Sequence, residues 1–265
     1  MKEFDISNKN LVTLVGIDFP PDVEILYCNN NQLNSLNGCP ATVQELYCHT
    51  NQLTNLNGCP ATVRKLCCPN NRLTSLLDCP ATVQTLLCEN NQLTSLVGCP
   101  ATVKELYCAH NQLTSLSGCP ATVQTLLCDN NQLTSLVGCP ASVKELYCSN
   151  NRLTNLQGCP THTLILDCQF NQLTTLLDCP IDAQEPYFDH NPLDAEYRDK
   201  TIEQINEINR LKTLRKGILK LNSIIYPSRI QRWWKYHYYD KLNSEGLSLF
   251  CVRSIDDSKR VGIIN

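Results

Sequence analysis

The sequence predicts a β-solenoid: a parallel sheet with one short strand per 20-residue coil and an extended, non-helical convex side, followed by a C-terminal α-helical segment. Three observations predict this fold. The pattern V-x-x-L-x-C-x-x-N-x-L-x-x-L-x-x-C-P recurs every 20 residues from Val23 to about Pro180, and such periods are typical of stacked supersecondary units. Within each unit, Leu-x-Cys alternates with the two-residue period of a strand. The Cys-Pro corner disfavours a helix, because proline lacks an N–H and restricts the preceding residue.

Residues 1–22 are predicted to form a partial coil that caps the array. Phe4, Ile6 and Leu14 fall on the repeat spacing, whereas Lys9 stands where later coils have asparagine. Repeat arrays need such caps because an open end would expose their core to water.

The array itself is predicted to span residues 23–193, as eight full coils and a degenerate last coil. In each full coil, the side chains equivalent to Leu26 and Cys28 are expected to point inward, and those equivalent to Ile25 and Tyr27 outward. The last coil has proline in the inward Leu position, which is typical of a sheet edge.

One asparagine in every coil falls at the bend that follows the strand. A buried amide at this point can bond backbone groups of adjacent coils that the bend would otherwise leave unpaired. Removing one such amide is expected to cost roughly 1–3 kcal/mol. The predicted ladder consists of Asn31, Asn51, Asn71, Asn91, Asn111, Asn131, Asn151, Asn171 and Asn191.

Residues 194–245 are predicted to be a basic, aromatic helical segment. Apolar residues recur at helical spacing from Ile202 to Leu221, and Asp199 or Thr201 is placed to cap the helix. After a break, a second helix is expected over 228–242.

The remaining residues, 246–265, are short and mixed in character, and they are expected to form a loosely ordered tail.

The repeat carries a family resemblance. Leu26-x-Cys28-x-x-Asn31-x-Leu33 resembles the L-x-L-x-x-N-x-L core of leucine-rich repeats, with cysteine in the second leucine position. The continuation to Pro40 resembles the short 20-residue class found in bacterial effectors. Cysteine- and asparagine-rich repeats with a basic Trp-Trp tail are also similar to leucine-rich-repeat proteins of giant amoeba-infecting DNA viruses. The resemblance covers about residues 4–193 and implies a leucine-rich-repeat fold, while functions within the family differ widely.

Sixteen of the eighteen cysteines form two ladders, from Cys28 to Cys168 and from Cys39 to Cys179. Free cysteine is among the most buried residue types, so these positions are expected to be core thiols. The start of the chain, Met1-Lys2-Glu3-Phe4-Asp5, has no apolar signal region. The expected location is therefore a reducing cytoplasm or nucleus, without secretion. Coils about 5 Å apart would also allow neighbouring thiols to oxidise in air.

The sequence lacks the common catalytic, phosphate-binding and metal-binding motifs. The sequence contains no phosphate-binding glycine motif, no H-x-x-H pair and no nucleophile elbow. It contains no C-x-x-C pair, and a ladder of cysteines does not build a tetrahedral metal site. The ligase domain that some bacterial effectors of the resembling class carry has a Cys-x-Asp motif, which Cys251-Val252-Arg253 does not match. We therefore expect no enzymatic activity, no catalytic residues, no cofactor and no metal.

The outward strand positions are the candidate binding site. Stacked coils would place an aromatic and aliphatic stripe, flanked by carboxylates, on the concave side, and tyrosine is enriched at interfaces. The tyrosines also have a purely structural explanation, because tyrosine is favoured in β-strands generally. The predicted partner-binding residues are Tyr27, Glu45, Tyr47, Leu87, Glu105, Tyr107, Leu127, Glu145, Tyr147 and Tyr187.

The distribution of charge indicates the kind of partner. Residues 1–193 hold 8 Lys+Arg and 16 Asp+Glu, a net charge of −8, whereas residues 209–241 hold 9 and 1, a net charge of +8. An acidic face repels phosphates, so nucleic acid is disfavoured and a basic or extended protein is expected. No stretch is apolar enough to span a membrane.

Two alternatives remain for the function. The run Ile230-Gln231-x-x-x-Lys235, with Trp233 and Trp234 inside it, resembles the start of an IQ motif. This basic-aromatic helix could be the working part, binding a calmodulin-like protein or a membrane surface while the array serves as a spacer. The viral resemblance implies instead a structural or host-interaction protein of a giant virus.

Overall fold

The computed structural model describes residues 2–225, which form a ten-stranded parallel sheet and one helix. The strands lie in the sheet in the order of the sequence, as predicted for a solenoid with one strand per coil. The elements are β1 (Glu3–Asp5), β2 (Ile25–Tyr27), β3 (Glu45–Tyr47), β4 (Lys65–Cys67), β5 (Thr85–Leu87), β6 (Glu105–Tyr107), β7 (Thr125–Leu127), β8 (Glu145–Tyr147), β9 (Ile165–Asp167), β10 (Glu185–Tyr187) and α1 (Ile202–Ile225).

Equivalent residues of successive coils lie side by side. Leu26 pairs with Leu46, and Leu46 pairs with Leu66, in uninterrupted parallel register. The repeated valine, leucines and inner cysteine are fully buried from Val23 to Leu136 and in most later coils. The core is therefore a column of identical layers, and the repeat spacing alone sets which side chains meet.

The asparagine ladder is confirmed, and Asn111 illustrates its bonding. The Asn111 side-chain amide donates to the carbonyls of Cys88 (3.0 Å) and Cys108 (3.1 Å). Its Oδ1 accepts from the backbone N–H of Leu93 at 2.9 Å. Each asparagine thus bonds its own coil and the preceding one, which satisfies buried backbone groups where the chain bends.

A second hydrogen-bonding ladder was not predicted. The Thr62 hydroxyl donates to the carbonyls of Ala41 (2.8 Å) and Val43 (2.7 Å), both in the preceding coil. The same pair of bonds recurs at Thr82, Thr102, Thr122 and Ser142. From Thr62 to Ser142, these hydroxyls stabilise the corner after Cys-Pro by bonding two backbone carbonyls of the preceding coil.

Nine consecutive coils adopt a left-handed backbone conformation one residue before the ladder asparagine. Five of these positions hold asparagine, with φ between 52° and 55°, but Thr50 has φ 56° and Phe170 has φ 51°. A β-branched residue is poorly suited to this region, whereas asparagine adopts it readily.

The substitution Thr50→Asn is therefore expected to stabilise the array, by about 1 kcal/mol. The reverse change, Asn70→Thr at the equivalent position of the next coil (φ 55°), should destabilise it by a similar amount. Thermal unfolding followed by circular dichroism would measure both; shifts of the same sign would contradict the interpretation.

The two ends of the array are closed by irregular coils. At the start, β1 pairs with β2, and the backbone N–H groups of Lys9 and Leu11 both donate to Asn31 Oδ1 at 3.0 Å. At the far end, Pro186 lies within the edge strand β10. Beyond it, Tyr197 is 2% exposed and its hydroxyl accepts from Thr175 at 3.2 Å, a partly buried contact that the sequence did not predict.

Helix α1 begins with a reciprocal cap. Thr201 Oγ1 accepts from the Gln204 N–H at 3.4 Å, and the Gln204 side chain accepts from the Thr201 N–H at 3.1 Å. Thr201, rather than Asp199, is thus the cap. Two structural units are distinguished, with their boundary between Ile205 and Asn206. No helix among residues 2–225 combines the length and apolarity needed to cross a bilayer.

The two cysteine ladders differ in burial. The inner ladder, Cys28 to Cys168, is fully buried, whereas most corner cysteines from Cys39 to Cys179 are half-buried. Burial raises the pKa of the corner thiol of Cys39 to about 12. The corner ladder therefore lines the margin of the core, while the inner ladder is part of its centre.

Candidate binding face

The outward side chains of the strands form a continuous surface, here called the strand face. It comprises the first and third residue of each strand and the residue two positions beyond the third. Parallel register aligns the third-residue positions into one stripe, because each pairs with its equivalent in the next strand. The stripe consists of Tyr27, Tyr47, Cys67, Leu87, Tyr107, Leu127, Tyr147, Asp167 and Tyr187.

The stripe is neither buried in the core nor fully exposed. Its members from Tyr27 to Asp167 are half-buried, while Tyr187 on the edge strand is 43% exposed. One outward residue differs from expectation: Ile25 is only 6% exposed. Ile25 lies in register between Glu3 and Glu45, whose longer side chains flank it on both sides.

At the start of the stripe, the side chains contact one another. The rings of Tyr27 and Tyr47 stack with their centroids 4.8 Å apart and their planes inclined by 19°. Lys65 Nζ lies 5.4 Å from the centroid of the Tyr47 ring, and the Tyr47 hydroxyl donates to Glu45 at 3.0 Å. Tyr27, Tyr47 and Glu45 were predicted partner contacts, and the structure places them in this cluster.

Cys67 separates this cluster from the rest of the stripe. It replaces the tyrosine or leucine of other coils and is half-buried. Burial, with a smaller effect from Glu89, raises the pKa of its thiol to about 11. The thiol is therefore protonated at neutral pH and acts as a small apolar group of the stripe.

The central part of the strand face is apolar along its middle and acidic on both sides. Leu87, Tyr107, Leu127 and Tyr147 alternate along the stripe in β5 to β8. On one side lie the first-residue carboxylates of Glu105 and Glu145, and on the other side those of Glu89 and Asp129, two residues past their strands.

Glu89 and Asp129 were not among the predicted contact residues. Asp129 Oδ1 accepts from both the N–H and the hydroxyl of Ser149 at 2.8 Å, which fixes its carboxylate. Within residues 2–225, Glu89 Oε2 is buried and has no hydrogen-bond partner. Aligning the third outward position along the sequence reveals both residues, but their burial depends on side chains of neighbouring coils.

The carboxylates act on the same tyrosines. Burial raises the pKa of Tyr107, and the charges of Glu105, Glu145 and Glu89 raise it further. The pKa of Tyr147 is also raised, first by burial and then by the charges of Glu145, Asp167 and Asp129. Burial also raises the pKa of Glu89. The central face thus combines apolar contact area with a concentrated negative potential.

Comparison with solved structures identifies the architecture. The functional domain of InlJ from Listeria monocytogenes, described as including a cysteine ladder, matches with a TM-score of 0.63 at 25% identity over 78% of this chain and 47% of that one. YopM from Yersinia enterocolitica WA-314 matches with a TM-score of 0.60 at 25% identity over 73% of this chain and 47% of YopM. The chain has a leucine-rich-repeat fold.

A third leucine-rich-repeat match comes from an octameric complex of Latrophilin 3, Unc5D and FLRT2 (LRR). Its TM-score is 0.56 at 23% identity, over 66% of this chain and 62% of that one. The present chain spans about half the length of the InlJ and YopM structures. No family model and no curated protein sequence matches it.

The other predictions about sites concern metal binding and the C-terminal segment. In the described part of the leucine-rich-repeat chain, no three His, Cys, Asp or Glu side chains are grouped to hold a metal ion. The predicted second helix and the tail site, Ile230, Gln231, Trp233, Trp234 and Lys235, lie outside the described residues. Their binding to a calmodulin-like protein or a membrane stays a prediction.

Proposed function

We propose that the chain is a non-enzymatic scaffold that binds a protein partner on its strand face. One observation carries this proposal: a half-buried stripe, Leu87-Tyr107-Leu127-Tyr147, runs in register across four strands between two sets of carboxylates. Tyrosine provides large contact area with a polar tip, and stripes of this kind are typical of interfaces. The neighbour from a multiprotein complex supports a role in protein binding.

The charge of the face indicates a basic partner. Four carboxylates border the stripe, so a phosphate backbone would be repelled while lysine and arginine would be attracted. We infer a reducing location as well, because sixteen cysteines stand at two fixed positions of the repeat, where they pack at the centre or the margin of the core, and unpaired thiols persist in reducing compartments.

The test compares capture of proteins by matched variants of the full chain. Tyr107→Ala with Tyr147→Ala removes the two rings of the central face. Val97→Ala with Val137→Ala removes two exposed apolar side chains away from the strands, 55% and 58% exposed, and serves as the control. Proteins from cells that naturally express the chain should bind the wild type and the control but bind the tyrosine variant at least tenfold less.

Melting temperatures of both variants must match the wild type within a few degrees for the comparison to hold. Equal capture by the two double variants, or no saturable capture by the wild type, would contradict a binding role for the strand face.

A further inference from the structure

The carboxylates of the central strand face repeat every second coil. Glu105 in β6 and Glu145 in β8 occupy the same position, with Thr125 of β7 between them. On the other side, Glu89 and Asp129 are likewise two coils apart, and the backbone pairing continues to this level through Asn90 N–H bonded to the Ala109 carbonyl. Because neighbouring strands lie about 4.8 Å apart, each row of carboxylates has a spacing of roughly 9.6 Å.

The tyrosines of the stripe have the same spacing. Tyr107 and Tyr147 lie two strands apart, and Leu127 lies between them. In every two coils, the central face therefore presents one tyrosine in the stripe and one carboxylate in each of the two flanking rows. A matching ligand needs a repeat of the same length along the axis of the array.

A polyproline-II segment has such a repeat. It completes one turn in three residues with a rise of 3.1 Å per residue, so equivalent side chains recur about every 9.3 Å. A β-strand brings side chains to one side every ~6.6 Å, which does not match. On an α-helix, side chains return to the same face after seven residues, a distance of about 10.5 Å. Successive side chains would therefore be displaced from the carboxylates by about 1 Å more at each repeat.

The chemistry of the face agrees with that repeat. Aromatic-lined grooves bind the rings of proline-rich segments, whose pre-formed conformation reduces the entropy lost on binding. The rows of carboxylates would bind cations spaced three residues apart. The outward positions from Thr85 to Gln169 contain no Lys, Arg or His. Lys104 and Lys144 precede β6 and β8, and Lys144 Nζ donates to the His162 carbonyl at the corner. Lys65, the first residue of β4, lies in register beside Thr85, with its Nζ 5.4 Å from the centroid of the Tyr47 ring.

We propose that the central strand face binds an extended, basic polyproline-II segment that carries one arginine or lysine at every third residue. This proposal rests on the proposed function, because it names the partner of the same face. Tyr107 and Tyr147 contact successive turns of the segment, and Glu105 and Glu145 bind its cations on one side. Glu89 and Asp129 add negative charge on the other side.

The test uses labelled peptides and the full chain, with fluorescence anisotropy at low ionic strength. The probe is a peptide of four Arg-Pro-Pro triplets. Its matched control has the same composition with the four arginines consecutive, and a second control is a helical peptide with arginines seven residues apart. We expect the triplet peptide to bind at least about fivefold more tightly than either control, with affinity falling as salt rises.

Charge-matched variants locate the binding. Glu105→Gln with Glu145→Gln should weaken triplet binding about fivefold. Asp18→Asn with Asp78→Asn, which removes two exposed carboxylates away from the strands, should leave it unchanged. Equal affinity for triplet and block peptides, tighter binding of the helical peptide, or no saturable binding would overturn the inference. If the peptides fail while Tyr107→Ala with Tyr147→Ala still abolishes protein capture, only the inference falls.

Discussion

Replacing Asn111 by alanine should lower the free energy of unfolding by about 3 kcal/mol. The change leaves the Leu93 N–H buried without a partner, because Asn111 Oδ1 is its acceptor. The Cys88 and Cys108 carbonyls are affected less, since each also accepts from a second ladder asparagine, Asn91 or Asn131. The cost is thus dominated by one orphaned donor, together with the cavity that the side chain leaves.

Asn191→Ala provides the matched control. Asn191 makes the same bonds, accepting from Leu173 N–H at 2.9 Å, but lies in the last coil and is partly exposed. Water can replace its lost bonds, so the expected cost is about 1 kcal/mol or less. Urea unfolding of the three proteins, followed by circular dichroism, would measure the difference. Equal destabilisation by the two substitutions would contradict the role of burial in the ladder.

Gly158→Ala is expected to destabilise the array by about 3 kcal/mol or more. Gly158 has φ 91°, a conformation that alanine adopts poorly. A Cβ at this position would also lie 2.5 Å from the Val137 backbone nitrogen and 2.6 Å from the Leu136 carbonyl carbon of the preceding coil. Two coils would therefore have to separate at the corner to accommodate one methyl group.

Gly16→Ala separates the two contributions. Gly16 has nearly the same φ, 86°, but a Cβ there would meet no atom within 4 Å. It should cost only the conformational strain, about 1–2 kcal/mol. Thermal unfolding would compare the two variants. A Gly16→Ala effect as large as that of Gly158→Ala would show that close packing between coils contributes nothing at these corners.

The fold was largely predictable because each local pattern has a single structural solution. The 20-residue period placed Leu26 beside Leu46, and the buried asparagine had only backbone groups to bond. The Thr62 ladder was not predicted although Ala-Thr-Val recurs in successive coils. An exposed threonine does not by itself indicate a bonding partner, and the acceptors lie 19 and 21 residues earlier.

The details of the strand face were less predictable. The stacking of Tyr27 on Tyr47 under Lys65 depends on side-chain conformations that no repeat pattern specifies. The burial of Glu89 and the fixing of Asp129 by Ser149 depend on which residue follows in the next coil. The sequence was therefore enough to predict which residues form the strand face. It was not enough to show that the side chains at the start of this face contact one another, whereas those at its centre are bordered by carboxylates.

The asparagine and threonine ladders connect each coil to its immediate neighbours alone. Gene duplication or loss of one 20-residue unit would therefore preserve every type of bond and change only the number of layers. The acidic rows, however, alternate with a period of two units. Adding a single unit between β6 and β8 would put Glu105 and Glu145 out of phase. The array can therefore change in length by any number of units, but its alternating acidic rows are preserved only when units are gained or lost in pairs.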